Sequence, residues 1–205
     1  TTGLSDILFG AGVRWDDRWS LDATVQANNQ THDIARTTLQ GRYSHSAYRV
    51  INAAYRANNQ ATPKSEFVEV GWQWPLSDLV GATDRQTENA WSRTPGQGLG
   101  PDRWYSVGQL NYSLKERSLV DTLVGLEYDA GCWLGRIAFE RLQTNISNIV
   151  VNNATSATSR ILFQLEFIGL ARVGVSPLKS LSDNIPRYQY LRDSTVQTSR
   201  FQHYE

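Results

Sequence analysis

SLVDTLVGLEYDAGCWLGRIAFERL, residues 118–142, decides how this chain must be read. Val120, Thr122, Val124, Leu126 and Tyr128 share one parity, and beyond the turn centred on Ala130-Gly131-Cys132 the residues Trp133, Gly135, Ile137 and Phe139 share one as well. The opposite parity holds Asp121, Glu127, Arg136 and Glu140. Successive side chains of a strand point to opposite faces, so the stretch predicts a β-hairpin with one apolar and one charged face. A third run, residues 160–169, repeats the pattern with Ile161, Phe163, Leu165 and Phe167 against Gln164 and Glu166.

The same period runs upstream. Ile7, Phe9, Ala11 and Val13 share a face, and after the turn Trp15-Asp16-Asp17-Arg18 so do Trp19, Leu21, Ala23, Val25 and Ala27. Further runs start at Ala35, Ile51, Val68 and Trp104, and Pro75 ends the run that contains Trp72 and Trp74, since proline cannot donate to a ladder. Residues 76–103 carry Gly81, Pro95, Gly96, Gly98, Gly100 and Pro101 without a period and predict a long inserted loop. Residues 145–159 predict a polar loop. The expectation is a barrel-type segment over 1–170 with about nine strands, an irregular tail over 171–205, and no helix.

Composition narrows the class. The 205 residues carry 20 basic and 20 acidic side chains, so nothing electrostatic argues for nucleic acid or an anionic surface as partner. Mean hydropathy is −0.44, and no run approaches the roughly 18 apolar residues of a membrane-spanning helix. Spanning β-strands need only about ten residues, half of them facing a polar lumen. The chain does not begin with Met and shows no charged-then-apolar leader, which predicts a segment whose start lies outside it.

Alternation alone fits a soluble sandwich or β-solenoid as well as a barrel. The charges keep to the polar parity at mid-strand, as a lipid-facing surface demands, where Lys or Arg at mid-depth costs roughly 2–4 kcal/mol. The large rings then separate the readings. They flank every second turn: Trp15 and Trp19, Tyr43 and Tyr48, Trp74 and Trp104, Tyr128 and Trp133. A barrel seats such aromatic girdles at the membrane interface, and a soluble sheet has no reason to. The fold class expected is therefore all-β, an antiparallel meander forming part of a large outer-membrane barrel.

LEYDAGCW (126–133), RIAFER (136–141), RILFQLEFIGLARVGVSPL (160–178) and IPRYQY (185–190), with SDILFGAGVRWDDRWSLDATVQ (5–26) and QLNYSLKERS (109–118), closely resemble the C-terminal part of the LptD family of LPS-assembly proteins, also called organic-solvent-tolerance proteins. The resemblance implies a place in the Gram-negative outer membrane, surrounded by its lipid, with the lipoprotein LptE as a plug in the lumen and lipopolysaccharide arriving over a periplasmic bridge ending at LptA. It implies that the lipid leaves through a lateral gate between the first and last strands, the last being here the run with Ile161, Leu162, Phe163, Gln164, Leu165, Glu166 and Phe167. The aromatic-flanked turns would then be periplasmic, and the tail from Val175 would lie beneath or inside the barrel. Family members also bond the cysteine of this turn to one in the region preceding the barrel. Many carry adjacent cysteines there, whereas this chain has Gly131-Cys132, so one bond is the most the turn can form. A general porin or autotransporter barrel is the alternative function, and a soluble carbohydrate-binding module the third.

Other candidates point to ordinary roles. His32, His45 and His203 are far apart with no second ligand at metal spacing. Asp16-Asp17 fits a solvated turn, and Gly96 to Gly100 a loop, since no strand and helix flank it. No nucleophile elbow, phosphate loop or paired-cysteine motif is present, so neither an enzyme nor a cofactor is expected.

Overall fold

The computed structural model of the chain describes residues 6–29, 33–79, 98–99, 102–144 and 156–192. Ten antiparallel strands follow one another: β1 (Ile7–Asp16), β2 (Trp19–Ala27), β3 (Ile34–Ser46), β4 (Arg49–Asn58), β5 (Ser65–Pro75), β6 (Arg103–Ser113), β7 (Ser118–Asp129), β8 (Trp133–Thr144), β9 (Ser156–Phe167) and β10 (Ala171–Gly174). Each pairs with the next in a single sheet, so the fold is an all-β antiparallel meander. Two short helices accompany it, α1 (Leu76–Leu79) and α2 (Leu178–Asn184).

The hairpin at 118–142 folds as its period demands. Leu126 pairs Ile137 and Glu127 pairs Arg136 across β7 and β8, and Ile137 in turn faces Phe163 of β9. A slip of one residue would exchange the two faces of every strand, so the period and the register lock each other. The turn is closed by Gly131 at φ 86, a backbone region that carries little penalty only without a Cβ.

One face of the sheet carries exposed apolar side chains: Ile137 is 48 %, Phe163 53 % and Ile161 70 % exposed. The other face is polar and covered, with Gln73, Glu127, Arg136 and Gln164 all buried. A soluble protein arranges its faces the other way round; a barrel wall between lipid and lumen arranges them like this. The polar face is therefore the inward one.

What covers it is the C-terminal segment, and here the structure departs from the expectation for 171–205. Among the described residues nine strands fall within 1–170, and a tenth follows, because Gly169 at φ 77 turns the chain through residues 168–170 and lays β10 back on β9. There is also a helix. Ser176 accepts a hydrogen bond from the Leu178 amide at 3.3 Å, and Pro177, whose φ of −75° already suits a helix, opens α2. Helix α1 is a single turn after Pro75, tied down by Arg49, whose Nη2 donates to Asp78 Oδ1 at 3.0 Å.

Residues 176–192 then cross the inward face. Leu181, Ile185 and Tyr188 pack on Val107, Leu123, Ala138 and Leu162, and Leu191 packs with Tyr48, Leu99, Tyr105 and Leu134. Each fully buried Leu or Ile contributes about 1.5–3 kcal/mol, so these contacts hold the segment down collectively.

Candidate functional site

Neighbouring inward positions of β7, β8 and β9 place Glu127, Arg136 and Glu166 side by side. Arg136 Nε donates to Glu127 Oε1 at 2.8 Å and its Nη1 to Glu166 Oε2 at 2.9 Å. Arg172 of β10 donates to Glu166 Oε1 at 2.9 Å. Two guanidinium groups thus meet two carboxylates, and the set is compensated although the Arg136 and Glu127 side chains are each only 1 % exposed. Such a set holds a geometry; it costs too much desolvation to be read as a large source of stability.

The C-terminal segment joins this network. Tyr188 donates its hydroxyl to Glu127 Oε1. Burial, and after it the Glu127 carboxylate, push the Tyr188 phenol well above its ordinary range, so it stays protonated and a donor. Ser176 donates to Gln164 Oε1 at 2.8 Å, and Asn52 Nδ2 to the Pro186 carbonyl at 2.9 Å. Gln73 grips the Gln189 backbone twice, accepting from its amide and donating to its carbonyl, both at 2.9 Å. Arg192 forks onto Asp129 at 3.1 and 3.2 Å. From the inserted loop, Gly98 and Leu99 donate their amides to the hydroxyls of Tyr48 and Tyr105, both at 3.0 Å; the rest of 80–101 lies outside the described residues.

The residues expected at a gate divide between two faces. Ile161, Phe163, Leu165 and Phe167 lie on the outward parity, and Leu162, Gln164 and Glu166 are buried under the C-terminal segment. The free side of β9 is covered over only a third of its length, since β10 pairs with residues 164–167 alone. Residues 156–163 have no neighbour on that side among the described residues.

Seven of the eight rings expected in the girdle lie on the outward parity. Trp15, Trp19 and Tyr43 follow one another at 6.4 and 4.5 Å between centroids, and Trp104, Tyr128 and Trp133 at 4.7 and 5.3 Å. Trp74 is half-buried and shares the face of Trp72. Tyr48 does not belong with them. It sits in the β3–β4 turn at φ 61, on the parity of Val50 and Asn52, and its ring meets Tyr105 on the inward face at 5.8 Å. A register shift between Ser44 and Ser46 precedes it, which is the kind of bulge that re-aims a side chain at a turn.

Cys132 is exposed, with no disulfide partner among the described residues. It is expected to alkylate promptly in the isolated chain, which thiol titration with a maleimide measures. His45 shares a hydrogen bond with the Tyr43 hydroxyl at 3.0 Å, while His32 and His203 lie outside the described residues. Asp16 and Asp17 form a solvated turn, where Asp16 Oδ1 accepts the Asp17 amide at 2.7 Å. Among the described residues no group of three acidic, His or Cys side chains could hold a metal ion.

The inward apolar positions Val107, Leu123, Ala138 and Leu162 are missing from the sequence reading. Their signal was available in part: each is an apolar residue on the polar parity of four consecutive strands, with Val107, Ala138 and Leu162 in one cross-strand row through Gly125 and Leu123 two residues along from it.

No family model matches the chain. It is 51 % identical over 205 residues, its whole length, to the LPS-assembly protein LptD of Albidiferax ferrireducens, covering 24 % of that protein. It is 48 % identical over 204 residues to the LPS-assembly protein LptD of Paracidovorax citrulli, and 45 % over 205 residues to that of Polaromonas sp., covering 23 % of each. The match lies in the C-terminal part of these proteins. The chain thus spans about a quarter of the length of the curated relatives it matches.

Proposed function

The chain is homologous over its whole length to the C-terminal part of the LPS-assembly proteins LptD, and from that premise we propose that it forms the closing wall of an outer-membrane translocon that delivers lipopolysaccharide to the outer leaflet. The observation that carries the reading is the inverted sheet: apolar side chains out, charged and amide side chains in. Such a wall separates acyl chains from sugars without making or breaking a bond, so the function is passage and gating.

The gate is formed by β9. A strand whose edge is unpaired over 156–163 among the described residues presents backbone donors and acceptors to a neighbouring strand. That neighbour is the first strand of the full-length barrel, and the β10 pairing at 164–167 limits how far the two can zip together. LptA feeds the barrel through a preceding domain, and LptE plugs its lumen. Cys132, exposed at the β7–β8 turn, bonds to a cysteine outside this segment and ties the barrel to that domain. Such a cross-link contributes typically about 2–4 kcal/mol. A non-reducing gel of the full-length protein, with and without Cys132→Ser, reads that bond.

A photo-crosslinking side chain at Phe163 of the full-length protein tests the gate. Phe163 points outward at 53 % exposure, so it is expected to capture lipopolysaccharide in cells, and the adduct is expected to vanish when the periplasmic bridge is depleted. No adduct from a correctly folded protein would move the function to a general porin.

A further inference from the structure

A second cluster of charge stands away from Arg136, across β1 to β3. Arg14, Arg18, Arg42 and Arg187 line a cavity of about 180 Å³ together with Ser20 and Ser44, and Asp17 and Trp19 complete its wall. Register explains the first part of the arrangement. Arg14 pairs Ser20 and Ser20 pairs Arg42, so the two arginines flank one serine on the inward face of three adjacent strands. The C-terminal segment then brings Arg187 over them, holding this non-glycine residue at φ 61, a conformation that costs about 1 kcal/mol or more.

Three carboxylates, Asp16, Asp17 and Asp22, stand near the four arginines. Arg42 is repelled by Arg187 and by Arg14 and attracted by Asp22. Its Nε donates to Asn52 Oδ1 at 3.2 Å, and Arg18 approaches Asp16 at 3.9 Å. Neither Arg14, Arg42 nor Arg187 forms an ion pair among the described residues. Three guanidinium groups brought to one cavity without an ion pair among the described residues, one of them on strained backbone, describe a site suited to an anion. A tetrahedral oxyanion offers acceptors to several planar forks at once, whereas a carboxylate offers two oxygens in one plane. The cavity has room for it with bound water, since a water occupies about 30 Å³.

We propose that this cavity binds a phosphate group, either one carried by a lipid-linked saccharide or free phosphate. The lipid-linked source rests on the lipopolysaccharide reading above; the phosphate chemistry does not. The C-terminal segment supplies one of the arginines, so the site exists only while that segment is docked.

The full-length protein in detergent micelles is titrated calorimetrically with inorganic phosphate. Saturable binding is expected in the wild type, weakened about tenfold or more in the R42Q/R187Q double variant. Arg187→Lys, which keeps the charge, is expected to retain most of it, and folded-band migration on unheated gels confirms that each variant folds. No binding by the wild type, or equal binding by the folded double variant, overturns the site. A photo-crosslinker at Ser44, exposed to lipopolysaccharide with and without its phosphates, separates the sources. Capture that needs the phosphates assigns the lipid-linked source, and phosphate binding without such capture assigns the free anion. Loss of capture at Phe163 with phosphate binding intact would remove the lipopolysaccharide reading and leave the site standing.

Discussion

Replacing Arg136 by methionine is expected to destabilise the folded protein by about 3–5 kcal/mol, the range for breaking a buried ion pair by deleting one partner. Arg136 is the shared donor to Glu127 and Glu166. Glu166 would keep Arg172, which is itself partly exposed, but Glu127 would keep only neutral partners, the Tyr188 hydroxyl and the Gln73 side chain. The Glu127 carboxylate is buried, and its second oxygen has no partner even now. The loss should therefore fall mainly on β7 and on the segment that carries Tyr188. It should also be reversible by design, since replacing a whole buried ionic set with apolar residues of similar volume is often neutral or better. The triple variant E127L/R136M/E166L is thus expected to recover most of the loss. The measurement is the temperature at which the folded, fast-migrating band of the full-length protein converts to the slow one. An R136M protein as heat-resistant as the wild type would show that the network adds nothing to the fold.

Ile185→Asp is expected to detach the C-terminal segment while leaving the sheet paired. Ile185 is wholly buried, and its Cγ2 lies 3.9 Å from where a Cβ on Gly71 would stand. An ionised carboxylate there, among Val107, Leu123, Ala138 and Leu162, has no cation to meet and costs several kcal/mol. Undocking the segment relieves that cost by returning the charge to water, whereas the strand ladders lie beneath it and lose no hydrogen bond. Leu181→Ala, which only leaves a cavity, should act in the same direction at about 2–5 kcal/mol. The readout is trypsin cleavage after Arg187 and Arg192, mapped by mass spectrometry, expected to be slow in the wild type and fast in I185D. The same variant should uncover Leu162 and Gln164, so crosslinkers at those positions are expected to capture lipopolysaccharide better than in the wild type. Unchanged cleavage would mean the hydrogen bonds from Gln73, Asn52 and Ser176 hold the segment without its apolar contacts.

Both variants act on the covered face, and that face is where sequence and structure part. The strands and their two faces were legible because side-chain alternation is a local, obligatory property of extended backbone. Val124, Leu126, Ile137 and Phe139 declare their face without reference to any partner. The outward parity of the seven rings other than Tyr48 was legible for the same reason, as was the meander, because short polar turns join strands that must pair antiparallel. The partly covered edge of β9 was not, since it depends on how far Gly169 folds the chain back.

Tyr48, α2 and the inward patch required tertiary information. Which way a turn residue points depends on the bulge at Ser44 and Ser46 and on a positive φ, neither of which alternation records. Val107, Leu123, Ala138 and Leu162 are apolar interruptions in the polar parity of four separate strands. They become a docking surface only when strand register brings them together, opposite Leu181, Ile185 and Tyr188. Arg14, Arg42 and Arg187 are likewise ordinary charges until two strands and the returning C-terminal segment bring them to one cavity. Local periodicity therefore determined the wall, and long-range register decided what the wall holds against its inner side.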